Sequence, residues 1–245
     1  MAIKRGKQTY LFQHPAAVQS FAAIGSKREG EGPLGEYFDT INPDSTFGQK
    51  SWERAESRLH HDTVELAVKK AGLSYADLDC LLAGDLLNQC IGATFGVREL
   101  GIPSLGIYGA CSNMAEGLLL ASFLAESGLG HLGVSTASHF CTAERQYRFP
   151  LEYGGQRPPT SQWTVTGGGA VVVTGPAAQQ PGQAGPWIQA AAIGTIEDKG
   201  IQDAANMGAA MAPAAAATIL GFLSDTGTTP EDYDLILTGD LGQVG

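Results

Sequence analysis

The chain turns from an apolar strand into an apolar helix at Ser104-Leu105-Gly106-Ile107-Tyr108-Gly109-Ala110-Cys111-Ser112-Asn113. The apolar run ends at a Gly-Ala pair, where small residues allow a tight turn. Cys111 follows this pair and precedes a helix predicted over residues 114–127. A strand, a tight turn and a helix with a reactive side chain at the turn are typical of a nucleophile elbow.

The helix after Cys111 is apolar nearly all round, which predicts that it lies inside the protein. A thiol at a helix N-terminus meets unpaired backbone N–H groups and the positive end of the helix dipole, and both favour the thiolate. The sequence therefore predicts a functional site at Cys111. The alternative is a small residue that only fills space.

Composition narrows the classes of partner. The chain has 245 residues, 43% of them apolar, enough to form the core of one or two domains. It has 15 Lys and Arg against 25 Asp and Glu, a formal net charge of −10. This balance argues against a nucleic-acid partner and against binding anionic lipids through bulk charge.

The sequence predicts a protein made in the cytosol, with peripheral contact to any membrane. The longest apolar candidate, residues 207–223, is rich in alanine and interrupted by Pro213. The basic N-terminus is not followed by the apolar segment or cleavage site of a signal peptide. The four cysteines show neither a C-x-x-C pair nor zinc-site spacing, so we expect reduced thiols, with Cys80 buried as a small hydrophobe.

Apolar runs and helical spacing predict the regular elements. Strands are predicted at residues 18–25, 78–83, 104–107, 131–137, 164–175, 188–196 and 235–238. Helices are predicted at residues 52–71, 92–100, 114–127 and 207–223. Residues 26–50 are predicted to form a long loop, and residues 138–163 a polar stretch.

Residues 73–86 and 228–241 are two copies of one unit. Asp77, Asp79, Gly84 and Asp85 each recur 155 positions later, as Asp232, Asp234, Gly239 and Asp240. In each copy an apolar helix precedes the unit and a predicted strand ends in Gly-Asp-Leu, which indicates a duplication.

The repeat also predicts the domain organisation. The second counterpart of Cys111 would fall beyond residue 245, so we expect the second copy to be incomplete. Residues 1–180 are expected to form a first half that carries the elbow, and residues 181–245 to begin a truncated second half.

Further motifs extend the elbow, at residues 108–117, 138–140, 143–150, 152–154, 156–159 and 163–170. Together with the duplicated α/β unit, they resemble the thiolase superfamily and, within it, a family of spore proteins. The resemblance covers essentially the whole chain and is most specific in the middle. It implies an α/β fold of two pseudo-symmetric halves, each with a mixed five-stranded sheet, in αβαβα layers.

The resemblance also implies a function. Members of this spore family are implicated in moving dipicolinic acid, usually as its calcium complex, into the developing spore. They resemble peripheral proteins of the spore inner membrane that act beside membrane proteins of the same operon. Thiolase folds commonly pair, so a homodimer is a further expectation.

Condensing relatives need a cysteine nucleophile, a base and donors to the thioester oxyanion. In those relatives a histidine typically stands where this chain has Thr238-Gly239-Asp240. An aspartate cannot donate to an oxyanion unless it is protonated. The hypothesis is therefore a non-catalytic binding pocket that retains the cysteine.

Seven residues are predicted to contact the ligand: Cys111, Asp85, His139, Asn113, Gln89, Asp240 and Arg145. His139 follows a strand, and strand ends line sites in α/β sheets. Arg145 could clamp a carboxylate, or pair with a nearby glutamate instead. Asn113 and Gln89 could bond a pyridine dicarboxylate, or cap a helix.

Asp85 and Asp240 end equivalent strands, and we expect them to face each other across the pseudo-two-fold axis. There they could contact calcium, a cation that prefers oxygen ligands, and the alternative is that they cap turns or helices. No other cofactor is expected.

Two functions compete with ligand binding. One is an acyl-transferring enzyme that uses Cys111 on a CoA or carrier-protein thioester. The other is a scaffold that only assembles membrane partners.

Overall fold

The computed structural model describes residues 2–147, 164–183, 185–203 and 206–241. The predicted polar stretch is described only as far as residue 147, and the motifs at 152–159 lie outside the described residues.

Eight strands and six α-helices are numbered here in chain order. The strands are β1 (Ile3–Arg5), β2 (Thr9–Ser26), β3 (Thr40–Asn42), β4 (Cys80–Gly84), β5 (Ser104–Ile107), β6 (His131–Ser138), β7 (Gly167–Thr174) and β8 (Trp187–Ala192). The helices are α1 (Lys27–Gly30), α2 (Trp52–Lys70), α3 (Ile91–Val97), α4 (Asn113–Glu126), α5 (Phe140–Tyr147) and α6 (Met207–Thr226).

Contacts divide the chain into two units. Of the described residues, the first unit consists mainly of 14–147 and 164–188, and the second of 2–13 and 189–241. In the second unit, β1 pairs antiparallel with the first residues of β2. The backbone N–H groups of Lys7 and Gln8 donate there to Asp225, near the end of α6.

The first unit contains a mixed sheet in the order β2-β7-β6-β4-β5, and the short β3 pairs in addition with the end of β2. The resemblance implied five strands in the first half, and β3 comes in addition to them. Strands β5, β4 and β6 are parallel to one another, whereas β7 is antiparallel to both of its neighbours, β6 and β2. The carboxyl ends of the three parallel strands therefore lie at one edge of the sheet, where polar residues following them can meet.

Alternate residues of β4 face opposite layers of the core, because side chains alternate along a strand. Leu81 and Ala83 pack with the buried face of α2 and with α3. Cys80 and Leu82 pack with α4, which confirms the expectation for Cys80. The apolar α4 is buried along one side, at Asn113, Gly117, Ala121, Ser122 and Ala125, and its other residues are half-buried or exposed.

The repeat predicted from the sequence is present in the elements. Helices α2 and α6 begin at Trp52 and Met207, 155 residues apart. The residue before each helix caps it: Ser51 accepts from the third N–H of α2, and Asn206 does the same for α6. Two short 3-10 helices, Tyr75–Asp77 and Pro230–Asp232, stand at the same offset and are both closed by a capping box.

Three predictions of local structure were wrong. The predicted loop at 26–50 contains α1 and β3, and β2 begins at Thr9 rather than near residue 18. The strand predicted at 235–238 is irregular, with Leu235 and Leu237 exposed by 70% and 81%. A strand needs a partner to satisfy its backbone, and no strand among the described residues pairs with this segment.

Helix α6 has the length and apolar composition of a membrane-crossing helix. Only 11% of its most apolar 18-residue stretch is buried inside the protein. Pro213 lies inside this helix and does not end it. One such helix is weak support for a membrane span, since core helices have the same composition. Its repeat counterpart, α2, packs against β6 and β7 of the first unit.

Helices α2 and α3 approach closely where α3 has glycines. A Cβ atom on Gly96 would lie 2.6 Å from both the His60 Cβ and the Ser57 carbonyl oxygen. Neither group can rotate away, because both belong to the helix framework.

We therefore expect Gly96→Ala to destabilise the protein by about 1–3 kcal/mol, although alanine is the better helix former. Urea unfolding measures this change. Gly169→Ala is the matched control, since its Cβ would meet only the Met114 Cε, at an ordinary 3.5 Å. Equal stability of the two variants would contradict the close packing.

Candidate functional site

Residues that follow the three parallel strands meet at the carboxyl edge of the sheet. Asp85 follows β4, Cys111 and Asn113 follow β5, and His139 follows β6. With Gln89, from the segment between β4 and α3, these residues are called the strand-end cluster. Five of the seven predicted site residues therefore lie at one edge of the first unit.

Cys111 is exposed, in a 3-10 turn (Ala110–Ser112) directly before α4. The turn begins at Ala110, whose φ of +50° lies in the left-handed region that alanine rarely adopts. In the part of the chain that the structure describes, no side chain hydrogen bonds to Cys111 Sγ. The elbow thus presents an accessible thiol on a strained turn.

The Asn113 side chain ties the elbow to the end of β4. Its Oδ1 accepts from the Gly109 N–H at 2.6 Å, and its Nδ2 donates to the Asp85 carbonyl at 3.1 Å. The side chain is buried. Both ends of the amide are therefore hydrogen-bonded within the protein. These bonds connect the elbow that carries Cys111 to the backbone of Asp85.

Asp85 organises the segment between β4 and α3. Its buried carboxylate accepts from the Leu87 N–H at 2.7 Å and from the Ala93 N–H at 2.6 Å. Burial raises the pKa of Asp85. These bonds describe the capping role that the sequence analysis set beside the ligand role.

The Asp85 segment is strained. Gln89 and Cys90 have φ of +62° and +51°, two consecutive left-handed residues that are not glycine. The Cys90 thiol is buried and donates to the Ile107 carbonyl at the end of β5, at 3.2 Å. Gln89 is exposed at this turn, so its amide is accessible to a ligand.

His139 is buried, and both of its ring nitrogens are engaged. Nδ1 accepts from the Cys141 N–H at 3.1 Å, so Nε2 carries the hydrogen and donates to the Ser45 carbonyl at 2.9 Å. The ring stacks on Trp52 with centroids 4.9 Å apart. Burial lowers the pKa of His139, which favours this neutral form.

Glu56, which the sequence analysis missed, lies between two parts of the strand-end cluster. Its Oε2 accepts from the His139 N–H and the Thr142 hydroxyl. Its Oε1 has no hydrogen-bond partner among the described residues. Burial raises the pKa of Glu56 to about 7. The hydrogen bond from Thr142 lowers this pKa, and the nearby charge of Asp85 raises it.

A sequence signal for Glu56 existed. Residues 52, 56, 59, 63 and 67 lie on one face of a helix, and a glutamate at the centre of such a buried face is unusual. His60, one turn later, is also fully buried and bonds to the Ser135 hydroxyl on β6 at 2.9 Å. Burial lowers the pKa of His60 to about 3.

A second missed group borders the Asp85 segment. The Tyr147 hydroxyl donates to the Leu86 carbonyl at 2.7 Å, and Gln146 Nε2 donates to the same oxygen at 3.0 Å. The Tyr108 and Tyr147 hydroxyl oxygens are 3.3 Å apart. Burial, together with the hydrogen bond to Tyr108, raises the pKa of Tyr147. The sequence signals for this group were the motifs at residues 108–117 and 143–150, which contain both tyrosines and Gln146.

The two remaining predicted residues lie outside the strand-end cluster. Arg145 forms an ion pair with Glu53 on α2, whereas the ion pairs named from the sequence were with Glu144 and Glu152. Asp240 is exposed in an irregular segment of the second unit. Its predicted approach to Asp85 concerns two separate units and stays a prediction.

A groove of about 660 Å³ lies between α2 and α3. Its lining contains none of the seven predicted residues. Its arginines are largely engaged elsewhere: Arg58 pairs with Asp62, and Arg98 with Glu99. We therefore take the strand-end cluster, rather than this groove, as the candidate functional site.

Glu56 predicts how stability depends on pH. Its pKa is about 7 in the folded protein against an ordinary 4.5, so the folded state keeps a proton that the unfolded chain releases. The contribution of Glu56 is fully present below about pH 4.5 and is lost as the pH rises to about 7. Glu56→Gln removes this contribution.

The measurement is the urea midpoint between about pH 5 and pH 8, taken as the difference between Glu56→Gln and the original protein. We expect the variant to gain in relative stability as the pH rises. A difference that does not change with pH would mean that Glu56 is ionised in the folded state.

Comparison with known proteins identifies the family of the sequence. The family model of stage V sporulation protein AD matches residues 6–245. Stage V sporulation protein AD of Bacillus subtilis (strain 168) is 48% identical over 241 residues, which covers 98% of this chain and 70% of the relative.

Solved structures identify the fold. Cerulenin-bound OleA of Xanthomonas campestris superposes with a TM-score of 0.65 at 12% identity, covering 96% of this chain and 77% of OleA. The 3-oxoacyl-(acyl carrier protein) synthase III, FabH, of Xanthomonas oryzae pv. oryzae gives a TM-score of 0.62 at 15% identity, covering 96% and 80%. At these identities the likeness concerns the fold alone, which is the thiolase-like α/β fold.

Proposed function

The chain belongs to the stage V sporulation protein AD family, and on that premise we propose that it binds dipicolinic acid, or its calcium complex, for uptake into the developing spore. The strand-end cluster is the proposed pocket. Gln89 offers an exposed amide there and Cys111 an exposed thiol at the start of α4. Amides and helix N-termini are suitable donors to carboxylates.

We propose that the pocket binds its ligand without chemical turnover, and one observation carries this. A thiol nucleophile needs a base within hydrogen-bond reach. Both ring nitrogens of His139, the histidine of the strand-end cluster, are bonded to backbone groups. Thr238-Gly239-Asp240 supports the same conclusion, since condensing relatives typically have a histidine there.

Calcium enters the proposal as part of the ligand. Asp85 was the predicted calcium contact in the first unit, but its carboxylate accepts N–H groups of its own segment and is buried. In this conformation it does not fit a calcium ligand. A requirement for calcium would therefore come through the ligand itself or through other oxygen donors.

Calorimetric titration of the protein with dipicolinate, with and without calcium, tests binding. We expect saturable heat, and an affinity weakened about 2- to 10-fold by Cys111→Ala through loss of one polar contact. Ser127→Ala, at the opposite end of α4, is the matched control and should bind normally. Absence of heat in the folded protein would contradict the proposal.

Acyl transfer is the second candidate function, favoured by the accessible Cys111 at the start of α4. The same protein is incubated with acyl-CoA and its mass is measured. A mass increase by one acyl group that Cys111→Ala abolishes would establish the enzyme, and would replace the non-catalytic proposal.

The proposed place of action is the periphery of the spore inner membrane, beside membrane proteins of the same operon. Family membership supports this assignment, since the family is one of sporulation proteins. A scaffold without ligand would also act there. A scaffold would co-purify with those membrane proteins even when Cys111→Ala and Gln89→Ala are combined. It would give no heat in the titration with dipicolinate.

We also propose a homodimer, formed at the free edge of the first unit. β5 is the last strand of this sheet, and Leu105 on it is 52% exposed. Phe95, on the neighbouring α3, is 53% exposed. An open edge with apolar side chains is a surface on which a second strand can add.

Sedimentation velocity is expected to show a dimer that Leu105→Lys converts to monomer, because a charge is placed on the pairing edge. Leu34→Lys, at an exposed leucine away from this edge, should stay dimeric. A monomer in the original protein, or a dimer that survives Leu105→Lys, would contradict this interface.

A further inference from the structure

Glu56 contacts one wall of the strand-end cluster from the centre of the buried face of α2. Its Oε2 accepts from the His139 backbone N–H at 3.2 Å and from the Thr142 hydroxyl. Both donors belong to the junction between β6 and α5. One carboxyl oxygen therefore fixes the position of the wall that carries His139.

The other oxygen of Glu56 faces the opposite wall. A Cβ atom on Gly92 would lie 2.9 Å from Glu56 Oε1 and 3.1 Å from Asp85 Oδ2, so both carboxyls border one point of the junction between β4 and α3. Oε1 is buried without a hydrogen-bond partner among the described residues. Burying such an atom costs stability, so space-filling alone would favour an apolar side chain.

The second copy of the repeat contains that apolar side chain. Met211 stands 155 residues after Glu56, on α6. Its Cε would lie 3.2 Å from a Cβ on Gly239, the counterpart of Gly84. Met211 is half-buried, and the helix of the second copy therefore has an apolar side chain rather than a carboxyl beside its Gly-Asp-Leu segment.

We propose that Glu56 is a positioning residue of the ligand pocket, which holds the β4–α3 junction and the β6–α5 junction in the placement that the ligand requires. The first junction carries Asp85 and the strained Gln89, and the second carries His139. That the pocket binds dipicolinate rests on the proposed function. The placement of the junctions does not.

The test uses Glu56→Met, which gives the first copy the residue of the second. We expect the variant to keep its far-ultraviolet circular dichroism, and to exchange backbone hydrogens faster at residues 85–93 and 139–143. We expect its affinity for dipicolinate to fall about tenfold, because the buried carboxyl that lies between the two junctions is then lost, and only the bonds from Gln146 and Tyr147 to the β4–α3 junction remain.

Glu56→Gln is the conservative rescue. Its amide oxygen can accept from His139 and Thr142, while its NH₂ group donates toward Asp85 Oδ2. Exchange and affinity should both return to those of the original protein. Glu65→Met, at an exposed site of the same helix, is the matched control and should change neither.

The two readouts separate failure of this proposal from failure of the proposed function. Unchanged hydrogen exchange in Glu56→Met would overturn the positioning role, whatever the ligand. Absence of dipicolinate heat in every variant would overturn the function, while exchange still decides the role of Glu56.

Thr142→Val keeps the proposal testable even where Glu56→Met unfolds. It removes one donor and leaves α2 intact, and we expect faster exchange confined to residues 139–143. No change in this variant would overturn the bond between Glu56 and Thr142 as a support of that wall.

Discussion

The close approach of α2 to α3 is the constraint on which the strand-end cluster depends. Gly92 and Gly96 remove two side chains from the surface of α3, and the space is taken by the Glu56 carboxyl and the His60 framework. A methyl group at either glycine would meet atoms at 2.9 Å or less, and separating the helices would withdraw Glu56 from both of its contacts. Buried polar groups are costly unless they are paired. The distance between α2 and α3 therefore decides whether the Glu56 carboxyl stabilises the site or destabilises it.

Much of the fold could be predicted because its elements carry strong local signals. Periodicity predicted α2 and α4 to within a residue or so, and the offset of 155 residues predicted that α6 and its 3-10 turn repeat α2 and the turn after it. The strand at 235–238 was wrong for a different reason. Its apolar pattern is that of a strand, but strand formation depends on a partner, and a sequence pattern does not say whether a partner is present.

The site was predictable in its position and less so in its chemistry. The rule that polar residues gather where parallel strands end predicted the edge of the sheet at which the structure has Asp85, Cys111 and His139. What each side chain bonds to could not be read in the same way. The acceptor of His139 Nε2 is the Ser45 carbonyl, 94 residues away in a segment predicted only as a loop. Backbone atoms of distant loops carry no sequence signature. The hydrogen bonds of His139 and Asn113 to backbone groups of the protein could therefore be seen only in the structure.

The internal repeat separates what the fold requires from what the first copy adds. Both copies keep the capped helix, the 3-10 turn and the Gly-Asp-Leu segment, so these features belong to the fold. At the position of Glu56 the second copy has Met211, and at the position of His60 it has Ala215. At these two positions the fully buried carboxyl and imidazole belong to the copy that also has the elbow cysteine, whereas the second copy has half-buried apolar side chains. Stability alone gives no reason for that coincidence, whereas a pocket whose walls must be held in place gives one.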